Sequence, residues 1–166
     1  LQTHKIKTGI ASHLSIKITP TNQGMWKDHP YFKDNIDSDG NHYATIGAGD
    51  INHFLVSNVN RPTDVKQSTK LKYQKIDIGT ENEDEIITEL FQRDRSYMDN
   101  LGYRLWPHRM NFSYNSNSYA VGLIESCGLS APHFDKVPGF GKPVPRENFK
   151  MPANIKVEQS GITTFL

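Results

Sequence analysis

Hydrophobic and polar residues alternate in the first half of the chain. In "IASHLSIKIT", residues 10–19, Leu14, Ile16 and Ile18 alternate with polar neighbours, the period of two expected of a half-buried β-strand. Further strands are predicted at "HYATIGAG" and "NHFLVSNV", with a turn at Gly47 to Asp50 between them, and at "LKYQKIDIG". The first half therefore predicts a sheet.

Two later segments have a helical period instead. One helix is predicted from about Glu81 to Asn100, because Thr80 can cap it and acidic residues suit its positive end. Its predicted buried face consists of Ile86, Ile87, Leu90, Phe91 and Met98. A second helix is predicted from Ser116 to Gly128. The pattern indicates an α+β fold, an antiparallel sheet packed against a short helix and one longer helix.

The segment after the second helix is rich in proline. "APHFDKVPGFGKPVPRENFKMP" contains five prolines and two glycines, which do not suit a continuous helix or strand. Its Phe and Val residues can anchor it on the core. We expect an ordered surface wrap.

Composition narrows the classes of function. With 166 residues, 36% of them hydrophobic, the chain suits a single domain over 1–166. Its 19 Lys and Arg nearly balance 18 Asp and Glu, so no global field favours nucleic acid or an anionic membrane as a partner. No run of 18 apolar residues exists, so no transmembrane segment is predicted. Because the chain begins at Leu1 and not at Met, we expect a domain excised from the C-terminus of a longer polypeptide.

A polar run before the second helix is the strongest candidate for chemistry. Asn115, Ser116, Asn117 and Ser118 precede the apolar residues of that helix. Side chains in a first helical turn lie among unpaired N–H groups and near the positive end of the helix dipole. A serine nucleophile there would gain an oxyanion site but would need a histidine as its base. Helix capping alone is the alternative, since Ser and Asn are preferred caps.

"NSNSYAVGLIESCG" resembles the nucleophile helix of the circularly permuted papain-like superfamily, which includes lecithin:retinol acyltransferase-like enzymes and NlpC-type peptidases. In that family a Cys follows an Asn at the helix start, and Ser116 has the matching position. "SHLSIKI" places His13 near the family's catalytic histidine at the start of an early strand. The resemblance implies that Ser116 attacks an acyl carbonyl after His13 removes its proton. Asn115, Asn117 and Ser118 would then lie near the oxyanion or the substrate.

This chain departs from the family's pattern in two ways. A serine replaces the thiol, and an alcohol stays protonated at neutral pH where a thiol is partly ionised. Leu14 stands where the family has an aromatic residue. The family's third polar residue, on the next strand, orients the imidazole. Thr45 and His42 are the two candidates for that position.

A second resemblance concerns biological context. "SIKITP", "YATIGAG", "NSNSYAVGLI" and "PGFGKPVP" resemble segments of C-terminal toxin domains of polymorphic bacterial toxins, such as the rearrangement-hotspot (Rhs) proteins. The resemblance implies a secreted effector, delivered into a target cell by an N-terminal delivery polypeptide and neutralised by a cognate immunity protein. Its substrate would be an amide or ester bond in a peptide, the cell wall or a lipid.

Other functions and sites are weaker expectations. One alternative is a binding module built on the same scaffold without chemistry, and another is unrelated toxin chemistry such as a nuclease or ADP-ribosyl transfer. The net charge of +1 argues against the nuclease. "NIDSDG" has the oxygen spacing of half a calcium loop but lacks the required Glu, with Ile46 in its place. Cys127 is expected to be a buried structural residue, and no metal or cofactor is predicted.

Overall fold

The computed structural model describes residues 2–5, 12–66, 72–108, 110–134 and 137–150. Its strands are β1 (Gln2–Lys5), β2 (Ser12–Ile18), β3 (Ala44–Ile51), β4 (Phe54–Val59), β5 (Lys72–Tyr73), β6 (Gly102–Tyr103) and β7 (Ser113–Tyr114). Its helices are α1 (Gln23–Trp26), α2 (Pro62–Val65), α3 (Glu83–Ser96) and α4 (Ser116–Ser126), followed by a 3-10 helix at Arg146–Phe149.

The described strands form a mixed sheet in the order β5-β1-β2-β3-β4-β6-β7. Neighbours are antiparallel except β6 and β7, which run parallel. Helix α4 packs on β2 and β3, and α3 packs on α4. The predicted α+β class is therefore confirmed, whereas the permuted papain-like order stays a prediction.

The core lies between one face of the sheet and helices α3 and α4. Alternate residues of β2 and β3 face it, namely Leu14, Ile16, Ile18, Ala44, Ile46 and Ala48. The helices contribute Ile86, Ile87, Leu90, Phe91, Tyr119, Ala120, Leu123 and Ile124. Burying one such aliphatic side chain stabilises the fold by about 1.5–3 kcal/mol. This apolar layer holds α4, and hence the polar run at its start, against β2.

The boundaries of α4 agree with the sequence. The helix begins at Ser116 after the cap Asn115, and Gly128 follows it with a positive φ of 79°. A residue in this left-handed conformation is a common helix terminator, and glycine adopts it without strain. The prediction of this helix is confirmed.

Helix α3 is shorter than the sequence predicts. Its cap is Asn82 and not Thr80, because the Asn82 side chain accepts a hydrogen bond from Asp84 N at 3.0 Å. The helix ends at Ser96, since Tyr97 turns extended and donates its hydroxyl hydrogen to Leu55 O at 3.0 Å. The assignment of Met98 to the buried face was wrong, as its side chain is 73% exposed.

Two predicted strand boundaries were also wrong. Strand β3 continues through Gly47–Asp50, and the turn lies at Asn52 and His53, both with positive φ. Two consecutive positive φ values suit the twist of a tight hairpin. The predicted strand at 71–79 is extended sheet only over Lys72–Tyr73, with residue 71 outside the described residues.

The wrap after α4 is largely as predicted. Its described residues, 131–134 and 137–150, have no regular structure apart from the 3-10 helix, and Phe134, Val144 and Phe149 are buried. Across the described ranges, no helix combines the length and apolarity needed to cross a bilayer.

Candidate active site

Asn115 caps α4 and fastens its start to two loops. Its Oδ1 accepts hydrogen bonds from Asn117 N at 3.0 Å and Ser118 N at 2.9 Å. Its Nδ2 donates to Leu105 O and to Pro138 O, both at 2.9 Å. A cap of this kind stabilises a helix by about 1 kcal/mol. Both amide hydrogens of Asn115 are therefore donated to backbone carbonyls.

Asn117 joins the same helix to strand β2. Its Oδ1 accepts from Leu14 N at 2.7 Å, and its Nδ2 donates to Ser12 O at 2.9 Å and to Pro138 O at 2.7 Å. A primary amide presents an acceptor and a donor side by side. The Asn117 side chain therefore forms the hydrogen bonds with β2 that the backbone of a neighbouring strand would form. The two β2 residues that it binds are those on either side of His13.

Ser118 holds the wrap against the helix. Its hydroxyl donates to Gly139 O at 3.2 Å, and its carbonyl accepts from Val144 N at 2.9 Å. A Cβ at position 139 would lie 2.7 Å from Ser118 Oγ and closer still to Asn115 Oδ1, and φ there is 81°. Only glycine fits this approach without displacing the cap.

Ser116 differs from its three neighbours. It is only 4% exposed, yet neither its hydroxyl nor its backbone N–H makes a hydrogen bond to another described residue. It directly precedes Asn117, and consecutive Cα atoms are about 3.8 Å apart. The structure thus brings the segments that carry Ser116 and His13 together, and of the four polar residues Ser116 is the one that these hydrogen bonds do not use.

His13 is paired with a buried carboxylate. The His13 ring nitrogen Nε2 lies 3.0 Å from Asp64 Oδ1, and the Asp64 side chain is fully buried. An ionised carboxylate only accepts hydrogen bonds, so with Asp64 in that form the contact requires the proton on Nε2. Asp64 lies on α2, which packs on β3. The contact fixes the orientation of the imidazole.

Arg61 lies beside Asp64, next to Gly47 and Gly49 of strand β3. Its Nε lies 3.7 Å from Asp64 Oδ2, and its Nη1 donates to Ala48 O. A Cβ at Gly47 would lie 2.5 Å from Asp64 Oδ2, and one at Gly49 would lie 2.7 Å from Arg61 Nη2. Both glycines lie within strand β3 and not in a turn. Their lack of a side chain leaves room for the Asp64 carboxylate and the Arg61 guanidinium.

Thr45 and His42, the predicted third residues, lie farther along the sheet. Thr45 is opposite Lys17, which is four residues after His13 and so about 13 Å along the strand. His42 precedes β3, and its Nδ1 lies 3.2 Å from Phe32 O. The residue seen to hold the His13 ring is Asp64, which sequence reasoning missed. Its signal was the Gly-Ala-Gly run on a strand, which indicates that large groups pack closely there.

An exposed apolar loop borders the helix start. Trp106 follows Leu105, whose carbonyl binds Asn115, and its side chain is 57% exposed. Phe112 is 93% exposed in the same loop. The Lys142 ammonium organises the loop by donating to His108 O at 2.7 Å and to Ser113 O at 3.0 Å, and burial lowers its pKa. Exposed aromatic side chains therefore lie in the loop that contacts the start of α4.

Cys127 lies at the opposite end of α4 from Ser116. Burial raises the pKa of its thiol to about 11, and the Glu89 carboxylate adds to this. A thiol with such a pKa is almost entirely protonated at neutral pH and is a poor nucleophile. Within the described ranges, no three His, Cys, Asp or Glu residues cluster closely enough to hold a metal ion.

No protein-family model matches this chain, and neither a curated protein nor a solved structure matches it significantly. The function must therefore be inferred from the side chains themselves. A hydroxyl at a helix start, an imidazole on the adjoining strand and a carboxylate behind it are the groups that acyl transfer requires.

Proposed function

We propose that the protein is a serine hydrolase or acyltransferase with Ser116 as nucleophile, His13 as general base and Asp64 as the residue that positions His13. One observation carries this proposal. Ser116 is left out of the hydrogen bonds that engage Asn115, Asn117 and Ser118, while Asn117 binds the backbone on both sides of His13.

The proposed reaction begins when His13 Nδ1 accepts the Ser116 hydroxyl proton. Ser116 Oγ then bonds to the carbonyl carbon of an ester or amide, and the resulting imidazolium is stabilised by Asp64. The proton passes to the leaving alcohol or amine as the acyl–oxygen or acyl–nitrogen bond breaks. Water or another acceptor then removes the acyl group from Ser116, again with His13 as base.

The negative oxygen of the tetrahedral intermediate needs hydrogen-bond donors. The side-chain donors of Asn115, Asn117 and Ser118 are already engaged by backbone carbonyls. We therefore assign the oxyanion to the Ser116 backbone N–H and the positive end of α4. The earlier prediction that those three side chains bind the oxyanion would require their hydrogen bonds to be exchanged.

The wider context is also part of the proposal. The substrate would be a peptide amide, a cell-wall crosslink or a lipid ester. The resemblance to permuted papain-like enzymes and to Rhs-type toxin domains supports a secreted or delivered effector with an immunity protein and an N-terminal delivery polypeptide.

A fluorophosphonate probe tests the chemistry without knowledge of the substrate, because it phosphonylates activated serines. We expect labelling at Ser116, identified by peptide mass, with no labelling in Ser116→Ala. In His13→Ala the labelling rate should fall by about 100-fold or more. Ser130→Ala, an exposed serine beyond α4, is the matched control and should label at the wild-type rate. Full labelling of both site variants, with unchanged melting temperatures, would refute the mechanism.

A binding module without chemistry is the second candidate, favoured by the serine in place of a thiol and by the low exposure of Ser116. The variant Ser116→Cys separates the two with iodoacetamide. A working His13 should ionise the new thiol, making it react about 100-fold faster than Cys127, whose pKa is about 11. Equally slow reaction of both thiols would favour the binding module.

A further inference from the structure

The loop between β6 and β7 displays large apolar side chains to solvent. Trp106 is 57% exposed, Met110 is 88% exposed and Phe112 is 93% exposed. A single exposed apolar residue is ordinary on a protein surface, but three large ones in one short loop indicate an interaction surface. Side chains exposed to this extent protrude from the surface and do not line a groove.

Hydrogen bonds within the chain hold this loop in place. The Lys142 ammonium donates to His108 O at 2.7 Å, to Ser113 O at 3.0 Å and to the carbonyl of Asn111. Inside the loop, Met110 N donates to His108 Nδ1 at 3.2 Å, and the Ser113 hydroxyl donates to Asn111 Oδ1 at 2.7 Å. The exposure of the apolar side chains is therefore built into the fold, and a partner would not have to order this backbone first.

The sequence of this region is basic, although the whole chain is nearly neutral. Positions 100–124 include Arg104, His108 and Arg109 but no Asp or Glu. The Arg104 side chain is exposed. An acidic residue from elsewhere, Glu147, acts at the end of the loop, where burial and then its carboxylate raise the pKa of Tyr114. The segment itself is cationic, which suits a partner that is both apolar and negatively charged.

These residue types suit the boundary between water and lipid. An indole ring favours the headgroup level, where its N–H stays hydrated, and phenyl and thioether groups favour the acyl region. A guanidinium group binds phosphate oxygens. The apolar anchors of a protein interface need surrounding contacts that exclude water, whereas a fluid bilayer closes around a protruding side chain. The protruding geometry therefore favours a lipid surface over a protein partner.

We propose that this loop docks the protein on the surface of an anionic lipid bilayer. Met110 and Phe112 enter the acyl region, Trp106 lies among the headgroups, and Arg104 binds lipid phosphates. The Leu105 carbonyl, in the same loop, accepts a hydrogen bond from the cap of α4 at 2.9 Å. Docking through this loop therefore brings the start of α4 close to the bilayer.

The test titrates the whole chain with unilamellar vesicles made of equal parts of phosphatidylcholine and phosphatidylglycerol. The chain has two tryptophans, and Trp26 is only 6% exposed, so a blue shift of the fluorescence on binding reports on Trp106. We expect this shift with the mixed vesicles and much weaker binding to vesicles of phosphatidylcholine alone. Raising the salt concentration should weaken binding, because it screens the attraction between arginine and phosphate.

Substitutions separate the apolar contribution from the charge. Phe112→Ser should weaken binding about tenfold or more, because the phenyl ring no longer leaves water. Met110→Ser should have a smaller effect in the same direction, and Arg104→Gln should weaken binding about fivefold. Met25→Ser, at a methionine of α1 that is 58% exposed, is the matched control and should bind as the wild type does.

Several results would overturn the proposal. Absence of binding at millimolar lipid, or equal binding of wild type and Phe112→Ser, would show that the loop does not enter a bilayer. Equal affinity for the neutral and the anionic vesicles would refute the assigned charge. If acrylamide failed to quench Trp106 in the protein without lipid, protein would cover the loop instead. Vesicle binding does not depend on whether Ser116 is a nucleophile, so fluorophosphonate labelling and this titration can fail separately.

Discussion

The two ends of strand β2 differ in the groups that bind their edges. At the His13 end, β1 covers one edge, Asn117 binds the other, and Asp64 holds the imidazole. At the Lys17 end, β3 covers one edge and a cavity lies along the other. The first end is held by side chains from α2 and α4, whereas the described backbone pairing at the second end is with β3.

The difference concerns what the strand can do in the proposed mechanism. A general base must keep one orientation, and His13 is held by Asp64 of α2 while Asn117 of α4 binds the backbone on either side of it. Substitutions at the His13 end and hydrogen exchange at both ends test this contrast.

Loss of Asn117 should damage the His13 end most. Asn117→Ala leaves Leu14 N–H and the Ser12 carbonyl without their partner and removes one of the two hydrogen bonds to Pro138 O, and we expect the free energy of unfolding to fall by about 3 kcal/mol. Urea denaturation measures this change. Asn148→Ala, whose side chain has no hydrogen bond within the described residues, should change stability by less than about 0.5 kcal/mol. Equal small effects would mean that Asn117 does not hold the two segments together.

Asp64→Asn should impair chemistry while preserving volume. We expect fluorophosphonate labelling of Ser116 to slow by about 100-fold, which corresponds to about 2.7 kcal/mol, because the imidazole loses its orienting carboxylate. A positioning role also predicts a changed tautomer signal of His13 in ¹⁵N spectra. Asp34→Asn, at an exposed aspartate, is the control. An unchanged rate and an unchanged His13 spectrum would exclude Asp64 from the mechanism.

Gly47→Ala tests whether the glycine makes room for Asp64. The new Cβ would lie 2.5 Å from Asp64 Oδ2 and 3.3 Å from Ser15 Cβ, so we expect a loss of about 2 kcal/mol in stability. Gly141→Ala is the matched control, because no atom lies within 4 Å of its Cβ position. If thermal denaturation gave the same midpoint for both variants, the close packing around Gly47 would be incorrect.

Hydrogen exchange compares the two ends directly. The Leu14 amide is bound by Asn117 in a fully buried residue, whereas the Lys17 amide points into the cavity. We expect the Lys17 amide to exchange roughly tenfold faster or more than the Leu14 amide. Comparable protection of both amides would mean that the Lys17 edge is already satisfied.

The sequence was most informative where the pattern was local. The period of β2 and the start and end of α4 depend on residues close together in the chain, and both were predicted correctly. The pairing of His13 with Asp64 spans 51 residues and depends on where α2 packs, which no local pattern specifies. Gly47 and Gly49 were misread as a turn for the same reason. Glycine permits a turn, but it also permits close packing, and only the tertiary contact decides between them.

The prediction of Ser116 and His13 as site residues depended on a family resemblance. Spacing alone left capping as the simpler interpretation of Asn115 to Ser118, and three of these four residues do have structural hydrogen bonds. The exception could not be identified from residue types, because Ser116 and Ser118 are chemically identical. They differ only in that Ser118 faces Gly139 and Ser116 does not bind the wrap. The catalytic roles of Ser116 and His13 stay predictions.

The contacts of Pro138, Gly139 and Val144 with the start of α4 have a consequence for biosynthesis. These residues lie more than 120 positions after His13, yet they bind Asn115, Asn117 and Ser118, and Asn117 in turn binds the His13 strand. During translation the early strands emerge long before this clasp exists, and contacts so distant in sequence form slowly. The start of α4 should therefore stay unfastened from these residues until Val144 has left the ribosome.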